Sequence, residues 1–236
     1  MKHRLRAGSA RLVRNVAYLS PLLRRHVFPR YGYGFSPPQL CFLCQCLDDT
    51  LRTEGSIAEI GCHTGQTTVF LNKFMDARGI GKMYFAVDTF SGTTARDVDY
   101  EVAFRGKTRD IVTGFTVNKR KWFDLTMKDN GIARVRTIEA DVNEYDLKSL
   151  APLSFVVLDV DLYRPTRKAL PELFQALHPG GIMVVDDCDP TDIHWDGADQ
   201  AYREFVKEMG LPLQIVQGSL GIVRKSTGGN GKPAPP

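Results

Sequence analysis

Acidic residues are missing from the first 47 positions, which hold eight Lys and Arg. The rest of the chain, with 23 basic and 27 acidic residues, is net acidic, so the formal charge of +4 conceals a cationic arm on an acidic body. No run approaches 18 uninterrupted apolar residues, and no membrane-spanning helix is expected. The opening stretch "MKHRLRAGSARLVRNVAYLSPLLRRHVF" is broken by charge every few positions, which excludes a secretory apolar region. The cysteines number five, an odd count that makes no disulfide framework. A reducing, cytoplasmic setting is expected, with peripheral contact at the inner face of a membrane through the arm. Neither a base-stacking platform nor a groove-reading helix is apparent, so nucleic acid is not an expected partner. Internal repeats are absent as well.

What is present fits one compact domain. At 236 residues, 43% hydrophobic and 25% charged, the chain can bury a sizeable core and little more. Residues 1–37 read as the basic arm, in which Leu5, Leu12, Val13, Val16, Ala17 and Leu19 among arginines permit a short amphipathic helix or a disordered lead-in. Residues 38–225 alternate apolar runs with helical stretches, the pattern of an α/β domain with a doubly wound, mostly parallel sheet. Strands are predicted at 57–60, 83–88, 135–139, 154–160 and 181–186. Helices are predicted at 39–51, 66–77, 115–129, 164–177 and 197–209. "LQIV" and "LGIVR", separated by "QGS", predict an antiparallel hairpin that completes seven strands. Residues 91–134 form a lid-like insertion, and the Gly/Pro-rich tail 226–236 is expected to be disordered. Cys41, Cys44 and Cys46 read as small buried residues of the first helix and not as metal ligands.

The segment "IAEIGCHTGQTTVFLNKF" is strand, glycine turn and helix, so a helix N-terminus is offered to an anionic ligand. A dinucleotide turn needs a bare second glycine, but Gly61 is followed by Cys62 and His63, and no G-K-[ST] follows to make a P-loop. S-adenosylmethionine, with one carboxylate and a sulfonium, remains as the common ligand at such a turn. Asp88, at the end of the second strand, suits two ribose hydroxyls, and Asp141, after the third, suits the adenine amino group.

"AEIGCHTGQTT", "VDTFSG", "LDVDLYRPT" and "PGGIMVVDDC" resemble the motifs of class I S-adenosylmethionine-dependent methyltransferases, and more narrowly those of the macrocin O-methyltransferase family. The resemblance spans about residues 39–224 and implies the Rossmann-like methyltransferase fold, with methyl transfer to hydroxyls of sugars or glycans. Glu59, Gly61, His63, Gly65, Thr67, Asp88, Ser91 and Asp141 are the cofactor-binding candidates. His63 departs from the usual G-x-G-x-G.

Four carboxylates stand where two apolar runs stop: Asp159 and Asp161, then Asp186 and Asp187. If these strands are neighbours, about 4.8 Å apart, Asp159, Asp186 and Asp187 converge on one point. Close carboxylates repel unless protonated or neutralised, and a hard divalent cation, Mg²⁺ above all, accepts such oxygen ligands. The resemblance implies the same three ligands. Asp161 would orient the acceptor or cap the following helix. Asp159 is the first choice of proton acceptor and His194 the second. Two competitors share these residues: a metal-dependent, catechol-type O-methyltransferase acting on small aromatic molecules, and a non-catalytic protein that binds S-adenosylmethionine. A homo-oligomer is expected in either case.

Overall fold

The computed structural model describes residues 12–20, 31–112, 118–189, 191–192 and 194–227. The chain divides into two compact units, Met1–Tyr33 and Gly34–Pro236. In the first, residues 12–19 form a helix in which Arg14 Nη2 donates to Tyr18 Oη at 3.3 Å. The predicted arm continues over 1–11 and 21–30, and the predicted tail over 228–236; those parts lie outside the described residues. None of the described helices is long and apolar enough to cross a membrane.

The second unit opens with α1 (Pro37–Asp49). Its start is set by Pro37 at the first helical position, with the Ser36 N–H donating to Gln39 Oε1 at 2.7 Å. Leu40, Leu43, Cys46 and Leu47 are buried, but Cys41 is exposed and Cys44 half-buried, so only Cys46 meets the expectation of a core cysteine. Then follow β1 (Ser56–Ile60), α2 (Gln66–Ala77), β2 (Tyr84–Asp88), α3 (Ala95–Arg105), α4 (Arg120–Asp129), β3 (Val135–Glu139) and β4 (Leu153–Leu158). The chain ends with α5 (Tyr163–Ala176), β5 (Leu177–Val185), α6 (Asp196–Glu208), β6 (Ile215–Val216) and β7 (Leu220–Arg224).

The seven strands run in the order β3-β2-β1-β4-β5-β7-β6. The first five are parallel and β7 is antiparallel to both β5 and β6, the mixed sheet the sequence predicts. On one face Ala58, Ile60, Val156 and Met183 pack with Ala169, Leu170 and Leu173 of α5 and Tyr202 and Phe205 of α6. Elsewhere Ala86, Cys62 and Phe90 pack with Phe123 and Met127 of α4. Apolar burial at roughly 25 cal/mol per Å² supplies the main stabilisation of such a layered core.

Two boundaries differ from the sequence reading by four residues or more. β5 starts at Leu177 and not at 181, because Leu177 pairs with Leu153 and the Gly180 N–H donates to Lys225 O at 2.7 Å; Gly180, at φ +88°, carries the strand past Pro179. The helix predicted at 115–129 is described from Arg120, and residues 113–117 lie outside the described set. What positions the site is the level ending of the central strands. Ile60 stands beside Leu158, and Leu158 beside Val185, so the turns after β1, β4 and β5 emerge together at the carboxyl edge.

Candidate active site

The turn after β1 begins at Gly61, at φ +88°. A Cβ there would lie 1.7 Å from the carbonyl oxygen of Asp159, so glycine is dictated by the close approach of the β1 and β4 ends, which the Asp159 N–H to Ile60 O bond of 2.8 Å draws together. His63 adopts φ 44°. Its N–H donates to Asp88 Oδ2 at 2.7 Å and its carbonyl accepts from Asn118 Nδ2 at 2.9 Å. Asp88 Oδ1 accepts from the Phe90 N–H, also at 2.7 Å, so the carboxylate is fixed by two backbone donors with lone pairs left over. Asp88, Asp141 and Gly61 line one cleft of about 120 Å³ with His63, Asp159 and Asp161.

The acidic turns after β4 and β5 are both kinked. Asp161, at φ 60°, and Asp187, at φ 57°, occupy the left-handed region that Asp tolerates better than most residues. Asp159, Asp161 and Asp187 bring one carboxylate oxygen each within 4.8 Å of the others. The expected trio had Asp186 in place of Asp161; Asp186 lies near enough for its charge to act on Asp159, and its Oδ1 accepts from Ser219 Oγ at 3.3 Å. Nor is Asp161 a helix cap, since α5 has Leu162 at its N-cap with no side-chain bond.

These groups cannot all be ionised comfortably. Burial, and then the charges of Asp186, Asp161 and Asp187, holds the Asp159 carboxyl well above the usual range. Asp187 is pushed up to about 9 by burial first and by Asp186 and Asp161 second. Contact between the Asp161 and Asp187 carboxyls lowers the first and raises the second. Burial raises Asp186 to about 6. Among the described residues no Lys or Arg compensates any of the four. Three convergent oxygen donors short of a cation have the chemistry of a hard divalent-ion site.

The insertion read as lid-like contributes Thr93, Thr94, Asp97 and Asn118 to the cleft lining, residues that sequence reasoning did not name. Asp97, 4% exposed, lines the cleft and accepts from Thr94 Oγ1 at 2.7 Å and from Asn143 Nδ2, whose amide also bonds Asp141 Oδ1 at 3.0 Å. Thr94, the N-cap of α3, was the available signal, followed by an acid three residues on. Other predicted residues stand apart. Glu59 is buried, its Oε2 accepting from Thr68 Oγ1 and Tyr84 Oη, both at 2.6 Å, so it belongs to the core and not to the cleft lining. Gly65 and Thr67 form the start of α2 outside the lining, and Ser91 is exposed between the lining residues Thr89 and Gly92. His194 is exposed, with its ring edge-on to Trp195 at 4.5 Å, and is absent from the cleft; its N–H donates to Asp192.

The model of a family described as "Methyltransferase domain" matches residues 58–188, from β1 to the turn after β5. No curated protein matches in sequence. Among solved structures, CalS11, a calicheamicin methyltransferase, superposes with a TM-score of 0.65 at 20% identity, over 92% of this chain and 91% of that one. The O-methyltransferase NovP superposes with a TM-score of 0.62 at 16% identity, over 80% and 79% of the two chains. A structure of CalS11 described as TDP-rhamnose 3'-O-methyltransferase gives 0.54 at 20% identity, over 79% of each chain. At these identities the likeness is one of fold.

Proposed function

We propose that this chain, which belongs to the methyltransferase-domain family and carries out S-adenosylmethionine-dependent methyl transfer, delivers the methyl group to a hydroxyl oxygen of a sugar or glycan. The observation that carries this reading is the convergence of the Asp159, Asp161 and Asp187 carboxylates in the cleft that also holds Asp88 and Asp141. The structural neighbour described as a TDP-rhamnose 3'-O-methyltransferase supports the choice of acceptor.

Asp88, held by two backbone N–H groups, would accept from the cofactor's ribose hydroxyls, and Asp141 would receive the adenine amino group. Gly61 and His63, which line the same cleft, would face the cofactor from the turn after β1. The acceptor hydroxyl must lose its proton as its oxygen attacks the methyl carbon. The proton passes to a carboxylate oxygen of Asp159, the carbon–sulfur bond breaks, and S-adenosylhomocysteine leaves beside a methyl ether. Asp159, Asp161 and Asp187 would hold Mg²⁺, which when bound lowers the pKa of the acceptor hydroxyl and neutralises the acids.

The test is transfer of labelled methyl from S-adenosylmethionine to a panel of sugars, nucleotide sugars and catechols, with and without chelator. Turnover on a sugar diol is expected, with a fall of at least about 100-fold on chelation and in Asp187→Asn. Turnover confined to catechols would replace the sugar by a small aromatic acceptor. Turnover indifferent to chelator and to Asp187→Asn would remove the metal.

A further inference from the structure

The helix at 12–19 presents an apolar face to solvent. Leu12, Val13, Val16 and Leu19 are 66, 69, 56 and 83% exposed. At 3.6 residues per turn they fall within an arc of about 120°, while Arg14 and Asn15 lie on the other side. Opposite the arc, Arg14 donates to Tyr18 Oη, which consolidates the polar face. A helix of only two turns is marginal in water by itself, so a surface that takes up its aliphatic side chains would stabilise it.

The charge of the sequence that flanks the helix selects the surface. Eight Lys and Arg and no acid stand in the first 47 residues. A second copy of the arm would bring like charge against like. A nucleic acid would satisfy the cations but gives four aliphatic side chains nothing to bury against. A bilayer with anionic headgroups answers both, because the acyl boundary receives the apolar arc and the headgroups receive the cations. We propose that the 12–19 helix is a reversible bilayer anchor, lying in the interfacial plane of an anionic membrane. This inference goes beyond methyl transfer and does not rest on it.

The full-length protein is sedimented with vesicles of equal phosphatidylglycerol and phosphatidylcholine, and with vesicles of phosphatidylcholine alone. The expected result is roughly tenfold greater partitioning onto the anionic vesicles, weakened by high salt. It should fall at least about tenfold in Leu12→Gln with Val16→Gln and Leu19→Gln, which keep the arm's charge and its helix propensity. An unchanged melting temperature in that variant ties the loss to the surface. Equal binding to both vesicles, or equal binding by the triple variant, would overturn the anchor. So would an absence of vesicle binding, whether the arm then bound an oligonucleotide or mediated self-association detectable by sedimentation velocity.

Discussion

Glu59 shows how one residue can be read correctly as important and wrongly as to why. Its place at the end of β1 suggested a cofactor contact, but the side chain turns into the core, where Thr68 and Tyr84 donate to a single oxygen. Burial raises its carboxyl from the ordinary 4.5 to about 7, against the opposing effect of those two donors. The native state therefore holds a proton that the unfolded chain releases. Its contribution to stability is full below pH 4.5 and is lost as pH rises through 7, about 3 kcal/mol in all. Glu59→Gln keeps an acceptor for Thr68 and Tyr84 and cannot ionise, so its urea midpoint should change less than the parent's between pH 5 and 7. A parallel decline in both proteins would show that Glu59 is not the titrating group. Among the acids, spacing locates four at two strand ends but does not show that Asp161, with Asp159 and Asp187, brings an oxygen into one cluster, because the left-handed backbone at Asp161 and Asp187 is not legible in sequence.

Elements were legible where burial is complete and obscure where it is not. β4 is buried along its whole length and β5 from Gly181 to Val185, and their unbroken apolar runs announced both strands and the acids at their ends. The helices of the insertion carry no such mark. α3 buries only Val98 among its apolar side chains, and the acids it buries, Asp97 and Glu101, look solvated in sequence. Glu101 Oε1 accepts from the Tyr163 N–H at 2.9 Å, so an acid of the insertion caps the helix that follows the metal-type loop, a contact 62 residues long in sequence. The glycine turn is a sharper test of element geometry. At Gly61→Ala the new Cβ would meet the Asp159 carbonyl, which is backbone and cannot step aside, so β1 and β4 must part. A loss above about 3 kcal/mol in urea unfolding is expected, set against a stability of about 5–15 kcal/mol for a typical domain. Gly79→Ala, at φ +66° with nothing within 4 Å, carries only the left-handed strain and should cost about 1 kcal/mol. Equal losses at the two positions would mean that the strand contact does not govern the turn.

At the scale of the whole molecule, charge and stability reside in different parts. The second unit, from Gly34, contains all seven strands, the described core clusters and the cleft. The first contributes eight basic residues, and without residues 1–33 the formal charge would pass from +4 to −4. Because Leu12, Val13, Val16 and Leu19 are at least 56% exposed, deleting them forfeits little buried apolar area, which is what stabilises a fold. A chain starting at Gly34 should therefore melt within about 2 °C of the parent, a change under about 1 kcal/mol for a domain of this size. Its response to S-adenosylmethionine should persist, because a ligand bound only by the native state raises stability by about 2.7 kcal/mol at a hundredfold excess over Kd, wherever the remaining charges lie. Retention on a cation exchanger at pH 7 should vanish at the same time. Differential scanning calorimetry of both chains, with and without the cofactor, measures the first two, and a fall beyond about 5 °C would show that the arm supports the body and is more than its cationic extension.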